Sequence, residues 1–157
     1  DTLHVFVVHA PSRAGGESAS LSHRMVVSDK LCEAVDSVRR VSANSRIIIA
    51  GDFNDYANDK SLLHIYKHDI VNVSKDARGD NGAKGTYRFQ GDWGSLDQIM
   101  CSQQIAATLQ YCKIGDYQFL LEEDEKYGGY KPKRTYYGPR YNNGFSDHLP
   151  LIARFGF

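Results

Sequence analysis

Arg46-Ile47-Ile48-Ile49-Ala50-Gly51-Asp52-Phe53-Asn54-Asp55 decides the fold. Three β-branched isoleucines in a row, too few for a helix and closed by a glycine, spell a buried central strand. Its C-terminal end delivers Gly51, Asp52 and Asn54 into a loop, and ligand chemistry in open α/β sheets collects at such strand ends. Asp52 and Asn54 stand two apart, so on extended backbone their side chains point to the same side and reach one bound group together. A plain Gly-Asp-x-Asn turn accounts for the same four residues equally well, because glycine and Asx residues form turns readily.

Upstream, Leu3 to Val8 has the apolar, β-branched make-up of a strand mostly buried on both faces. It runs into His9 and is stopped by Pro11, and Arg13 to Ser20 reads as a Gly- and Ser-rich loop. From Ser22 to Val41 the residues Val27, Leu31, Ala34, Val35 and Val38 keep helical spacing. Strand, helix and the isoleucine strand make a βαβ unit with parallel strands, which sets His9 and Asp52 at one edge of a sheet.

Downstream, a helical piece is predicted at Lys60 to Ile65 and strands at Ile70 to Val73, Thr86 to Phe89 and Leu96 to Cys101, the last two joined by a loop through Trp93. One or two helical turns follow at Gln103 to Leu109, then a strand at Tyr111 to Tyr117. Asp97 is an acid inside an apolar strand and needs a cationic or donor partner. Asp147-His148 opens the final apolar strand, and adjacent strand residues face opposite ways, so His148 needs a carboxylate other than its neighbour's.

At 157 residues, 41% hydrophobic and 24% charged, the chain can bury a core as one domain. Its formal net charge is zero, which excludes a global basic field for nucleic acid but not a local patch. Cys32, Cys101 and Cys112 are too few and too scattered in sequence for a disulfide framework or a zinc site. No apolar run approaches the roughly 18 residues that span a bilayer. After the acidic run Glu122 to Glu125, residues 126–141 carry only basic charge, with five tyrosines interleaved, the make-up of a loop that contacts phosphates and stacks on bases or sugars. Arg134 and Tyr141 are its substrate-binding candidates. Trp93 is either a third stacking residue or a packing anchor.

His9-Ala10-Pro11-Ser12, Gly51-Asp52-Phe53-Asn54, Leu96-Asp97-Gln98-Ile99 and Ser146-Asp147-His148-Leu149-Pro150 resemble, in this order, the signature blocks of the endonuclease/exonuclease/phosphatase superfamily. The resemblance implies an α/β fold, the C-terminal half of a four-layer, deoxyribonuclease I-like α/β sandwich, with one mixed β-sheet carrying helices on its outer face. It implies metal-dependent hydrolysis of a phosphate ester, whether in nucleic acid, a phospholipid head group or a sugar phosphate. Asp52 would deprotonate the attacking water and Asn54 would hold it or a phosphoryl oxygen. Asp97 would orient His148 toward the phosphate, as base or as charge stabiliser, and His9 would donate to a phosphoryl oxygen or the leaving group.

Asp147 would ligate the metal, magnesium first, with manganese or calcium as alternatives. The family's principal metal-binding Glu belongs to an N-terminal half that Asp1 to Phe157 lacks, so the metal site is expected to be incomplete and the isolated chain inactive. The inner sheet face is then expected to be covered by that missing half or by a second copy. The competing expectation is a non-catalytic module of the same fold that binds anions through residues 126–141.

Overall fold

Ile47 and Ile49 are completely buried while Ile48 and Ala50, alternating with them, are half-buried, as expected for a strand that turns one face to a helical layer. The computed structural model describes residues 2–156. Strand β1 (Leu3–His9) is followed by the long helix α1 (Glu17–Val41), strand β2 (Arg46–Asp52), helix α2 (Lys60–Tyr66) and strand β3 (Ile70–Asn72). A hairpin of β4 (Tyr87–Phe89) and β5 (Asp92–Gly94) leads into β6 (Asp97–Ser102), the single turn α3 (Gln103–Ala106) and β7 (Leu109–Ile114). Two small hairpins come next, β8 (Leu121–Glu123) with β9 (Tyr130–Pro132) and β10 (Tyr136–Tyr137) with β11 (Arg140–Tyr141), before the last strand, β12 (Leu151–Phe155).

The main sheet has the order β1-β2-β6-β3 and is mixed: β1 and β2 run parallel, while β6 is antiparallel to both β2 and β3. Leu31, Cys32 and Val35 of α1 and Leu62 and Ile65 of α2 pack with Ile47, Ile49 and Met100 against one face. Each fully buried aliphatic side chain here contributes about 1.5–3 kcal/mol. Antiparallel β7 and β12 form a separate two-stranded sheet, with β12 packed against β6, so the chain carries the start of a second sheet besides the expected one.

Several local expectations change. β1 is not buried on both faces: Leu3, Val5 and Val7 are 43%, 57% and 84% exposed, because no element among the described residues covers the side of β1 away from the helices. Helix α1 starts at Glu17, five residues before its apolar spacing does. Its buried stripe is polar at first (Ser20, Arg24, Ser28) and apolar only from Leu31 onward, so hydrophobic periodicity misses the first turns. Trp93 sits in β5 rather than in a loop. Gln90 and Gly91, both at positive φ, make a two-residue turn of the kind that joins tight hairpins. β7 begins and ends earlier than expected, and its final residue, Ile114, is buried with Leu149 in a second, smaller core.

The polar start of α1 has a partner. Arg24 and Asp55 are both 1% exposed, and Arg24 Nε lies 2.8 Å from Asp55 Oδ1 in an ionic contact without hydrogen-bond alignment. Asp55 also accepts from Ser61 Oγ at 2.5 Å and Arg13 Nη2 at 3.1 Å, and Arg24 Nη1 donates to Ser20 at 2.7 Å. This network ties α1, the loop after β2 and α2 into one body.

Candidate active site

Parallel register sets His9 opposite Asp52, and antiparallel register sets Asp52 opposite Asp97. Side-chain alternation puts all three on the face away from α1 and α2, in a row across β1, β2 and β6. His9 Nε2 lies 3.7 Å from Asp52 Oδ2 and is well exposed, while Asp52 is mostly buried. Gly51 permits this spacing: its φ is +145°, and a Cβ there would lie 1.9 Å from the carbonyl oxygen of Val8.

Asn54 has φ +50°, so Asp52 and Asn54 are not joined by extended backbone. A turn brings them together instead: the Asn54 N–H donates to Asp52 Oδ1 at 2.8 Å, and Asn54 Nδ2 donates to the Ala10 carbonyl at 3.0 Å and to Asp52 Oδ2 at 3.3 Å. Arg13 fixes the turn from outside through Nε to the Asn54 carbonyl at 2.7 Å and Nη2 to Asp59 at 2.6 Å.

Asp97 has the partner that its position demands. His148 Nδ1 is 2.7 Å from Asp97 Oδ2, and the buried Thr86 hydroxyl donates to the same oxygen at 2.5 Å. A carboxylate accepts, so Nδ1 carries the proton and Nε2 is the nitrogen left for chemistry. The backbone of residues 148–149 is held against β4, through a bridge to Tyr87 and the Leu149 N–H to Thr86. The Tyr87 ring lies 4.9 Å from that of His148. Thr86, Tyr87 and Arg13 carry no motif signal; only the rule that a buried carboxylate needs donors pointed toward a residue like Thr86.

Environment tunes both functional groups upward. Burial raises the Asp52 pKa, the Asp97 charge adds to it, and the Asn54 N–H with the two histidines only partly opposes this. For His148, burial alone would lower the pKa, but the hydrogen bond and charge of Asp97, with the charges of Asp52 and Asp147, outweigh it and raise it above 6.5. A histidine whose pKa is raised by folding contributes stability that is complete below its unfolded value and fades as pH rises through the folded one. The melting-temperature advantage of the native chain over His148→Gln should therefore be largest below about pH 6.5 and shrink above it. An advantage that grows from acid to alkaline pH in a series of thermal melts would contradict the Asp97–His148 pairing.

These residues line a cleft of about 990 Å3 together with Arg13, Tyr56, Tyr87, Phe89 and Trp93. Trp93 faces the cleft and also packs on the smaller core, with the Arg88 guanidinium 5.5 Å from its ring. Asp147 is at the rim, half exposed, with Arg134 Nη1 3.9 Å from its carboxylate. Arg134 does not line the cleft but lies 5.5 Å over the outer side of Tyr87. Tyr141 is away from it, on the β10–β11 hairpin against Tyr136. Two cations of residues 126–141 have acidic partners: Lys131 lies 3.9 Å from Glu122 and 4.0 Å from Asp124, and Arg134 faces Asp147, while Glu122 also bonds Tyr137 and Asn142.

Asp52, Asp97 and His148 offer ligand atoms within 4.8 Å of one another. Both side-chain donors to Asp97 bind its Oδ2, and both oxygens of Asp52 accept from Asn54; carboxylate oxygens such as these and those of the half-exposed Asp147 are the donors that suit a hard divalent cation.

A family model described as the Endonuclease/Exonuclease/phosphatase family matches residues 1–155. No curated protein gives a significant match. Among solved structures, a mannosyl-6-phosphatase from Bacteroides thetaiotaomicron superposes with a TM-score of 0.62 at 18% identity, over 98% of this chain and 51% of its own. An AP endonuclease from Archaeoglobus fulgidus gives 0.63 at 17% identity, over 98% and 61%. A mutant beta toxin from Staphylococcus aureus with bound magnesium ions gives 0.58 at 20% identity, over 98% and 53%. At these identities the likeness is one of fold, and the chain spans about half to three fifths of each structure's length.

Proposed function

The chain belongs to the endonuclease/exonuclease/phosphatase family, and from that premise we propose that it supplies the water-activating and phosphate-binding half of a metal-dependent phosphoric ester hydrolase. The observation that carries this is the row His9, Asp52, Asp97 across three adjacent strands, with His148 fastened to its end, opening on a cleft.

Asp52, as a carboxylate of raised proton affinity, takes the proton of a water as its oxygen attacks phosphorus. Asn54 Nδ2 is engaged by Ala10 and Asp52, so its Oδ1 accepts from that water and holds it in line. His148, kept protonated by Asp97, donates from Nε2 to a phosphoryl oxygen and offsets the charge that builds there. His9, exposed beside Asp52, donates to a phosphoryl oxygen or to the departing oxygen as its bond to phosphorus breaks. A divalent cation, with magnesium first among the choices, would be held by Asp147 and substrate oxygens and would neutralise phosphate charge when bound. This donor set is too small to hold it tightly.

Leu3, Val5 and Val7 give the sheet an exposed apolar edge on its inner face, and an N-terminal half or a second copy is the cover proposed for it. With that cover the layers become the four of a full sandwich. Tyr56, Tyr87, Phe89 and Trp93 around the cleft favour an ester whose alcohol side is a sugar or nucleoside over a bare acyl chain. The anion-binding alternative draws less support, since Lys131 of the tyrosine-rich segment faces Glu122 and Asp124 and Arg134 faces Asp147.

The test offers abasic and intact DNA, sphingomyelin and sugar phosphates to the protein with magnesium. Hydrolysis of one class, lost on chelation and restored by magnesium, is expected, and the chain by itself should show little turnover and self-associate in light scattering. Turnover indifferent to chelation, or none in the complete protein, would overturn the assignment. A stable monomer of this chain alone would remove the proposed cover.

A further inference from the structure

On the far side of the main sheet from the cleft, in the helical layer, the fold assembles a group of metal-binding type that no sequence spacing announces. Cys32 of α1, with His64 of α2 and His68 just beyond its end, offer ligand atoms all within 4.8 Å of one another. The two histidines are four apart, and the chain continues as a turn to His68, whose N–H donates to the Ile65 carbonyl. Their rings meet edge to face at 5.7 Å. Cys32 is 4% exposed and lies at the floor, and the histidines close over it with side chains 31% and 24% exposed.

Each ring is also held from behind. His64 Nε2 is 3.0 Å from Asp29 Oδ1, and His68 Nδ1 is 2.9 Å from Asp36 Oδ1. Asp29, Cys32 and Asp36 fall at spacings of three and four along α1, so both carboxylates flank the sulfur on one helix face. A carboxylate bonded to one ring nitrogen is the arrangement that fixes the tautomer and ring angle of metal-ligating histidines. It leaves His64 Nδ1 and His68 Nε2 outside those contacts.

We propose that Cys32, His64 and His68 form a site for a zinc-class transition-metal ion, with Asp29 and Asp36 as its outer carboxylates. Sulfur and two imidazoles are the donors such an ion selects and magnesium rejects. Zinc bonds of about 2.0 Å to nitrogen and 2.3 Å to sulfur put tetrahedral donors roughly 3.5 Å apart, so side-chain rotations of about an ångström close the group. A water or one of the two carboxylates completes four-fold coordination. The negative field of Asp36 and Asp29 adds to the burial that holds the Cys32 thiol up at about 11, and the same field favours a cation. The ion bridges α1 and α2, and because Ser61 of α2 bonds Asp55 behind the Asp52–Asn54 turn, it braces the helical layer that supports the site.

Cobalt titrated into the chelator-treated protein reads the site directly. One equivalent should give an intense thiolate-to-cobalt charge-transfer band, kept in Cys112→Ser and lost in Cys32→Ser. Affinity should fall at least about a hundredfold in His64→Gln/His68→Gln and 10- to 100-fold in Asp36→Asn. Zinc should raise the melting temperature of the native protein but not of the double histidine variant, whose partly exposed rings can be replaced without unfolding even if Cys32→Ser does not fold. Absence of the band, its persistence in Cys32→Ser, or an equal zinc-induced rise in the double histidine variant would overturn the site.

Discussion

Asp52→Ala should lower the proposed hydrolytic turnover by at least a few hundredfold, and His148→Ala by a similar factor, with the fold intact in both. Removing one preorganised group that acts on the transition state commonly costs ~3 kcal/mol, at tenfold in rate for each ~1.4 kcal/mol. The two groups act at opposite ends of one event, Asp52 on the water and His148 on the phosphoryl oxygen, so their losses should not add fully.

The paired carboxylates make the same substitution informative about stability. Because Asp52 has its pKa raised by burial and by Asp97, the native state binds this proton more tightly than the unfolded state does. Its contribution to stability is therefore greatest at acid pH and declines as pH rises through the folded pKa, leaving a net cost at neutral pH. Asp52→Asn, which keeps the shape and removes the charge, should melt no lower than the native protein at pH 7 while losing activity. An Asn variant that hydrolyses substrate at near-native rates would remove Asp52 from the mechanism. One that melts far lower would make it a structural residue.

Strand-end chemistry is what the sequence conveys best. Ile47 to Ile49 is a strand by composition, and a βαβ unit can only bring His9 beside Asp52. Asp97 and His148 find each other by elimination: a carboxylate in an apolar strand and a histidine denied its own neighbour each lack one partner. What escapes is what depends on distant chain returning. Glu122 and Asp124 come within reach of Lys131 only once β8 pairs with β9. Cys32 looks isolated until α2 packs on α1 and sets His64 and His68 beside it. Arg24 lies inside the helix predicted from Ser22 with nothing in the sequence to mark it as buried, and it is among the most buried of the described side chains.

That burial sets the largest expected effect on stability. Asp55→Ala should cost about 3–5 kcal/mol, because it leaves the Arg24 guanidinium buried without its counter-charge and strips an acceptor from Ser61 and Arg13. For a chain of this size each kcal/mol moves the melting temperature by about 2–4 °C, so a fall of roughly 6–20 °C is expected. Arg24→Met alone should cost less, since Asp55 keeps Arg13 and Ser61 as partners. Arg24→Met with Asp55→Leu should cost less than the two single losses summed, because removing both charges removes the desolvation penalty along with the attraction. The surviving fold should still lose activity: without Asp55, Arg13 has one anchor fewer from which to hold the Asn54 carbonyl, and the turn that aims Asn54 at the water loosens. Thermal melts of the three variants decide it. A single substitution costing under about 1 kcal/mol, the range of a surface pair, would mean that Arg24 and Asp55 are not buried together in solution.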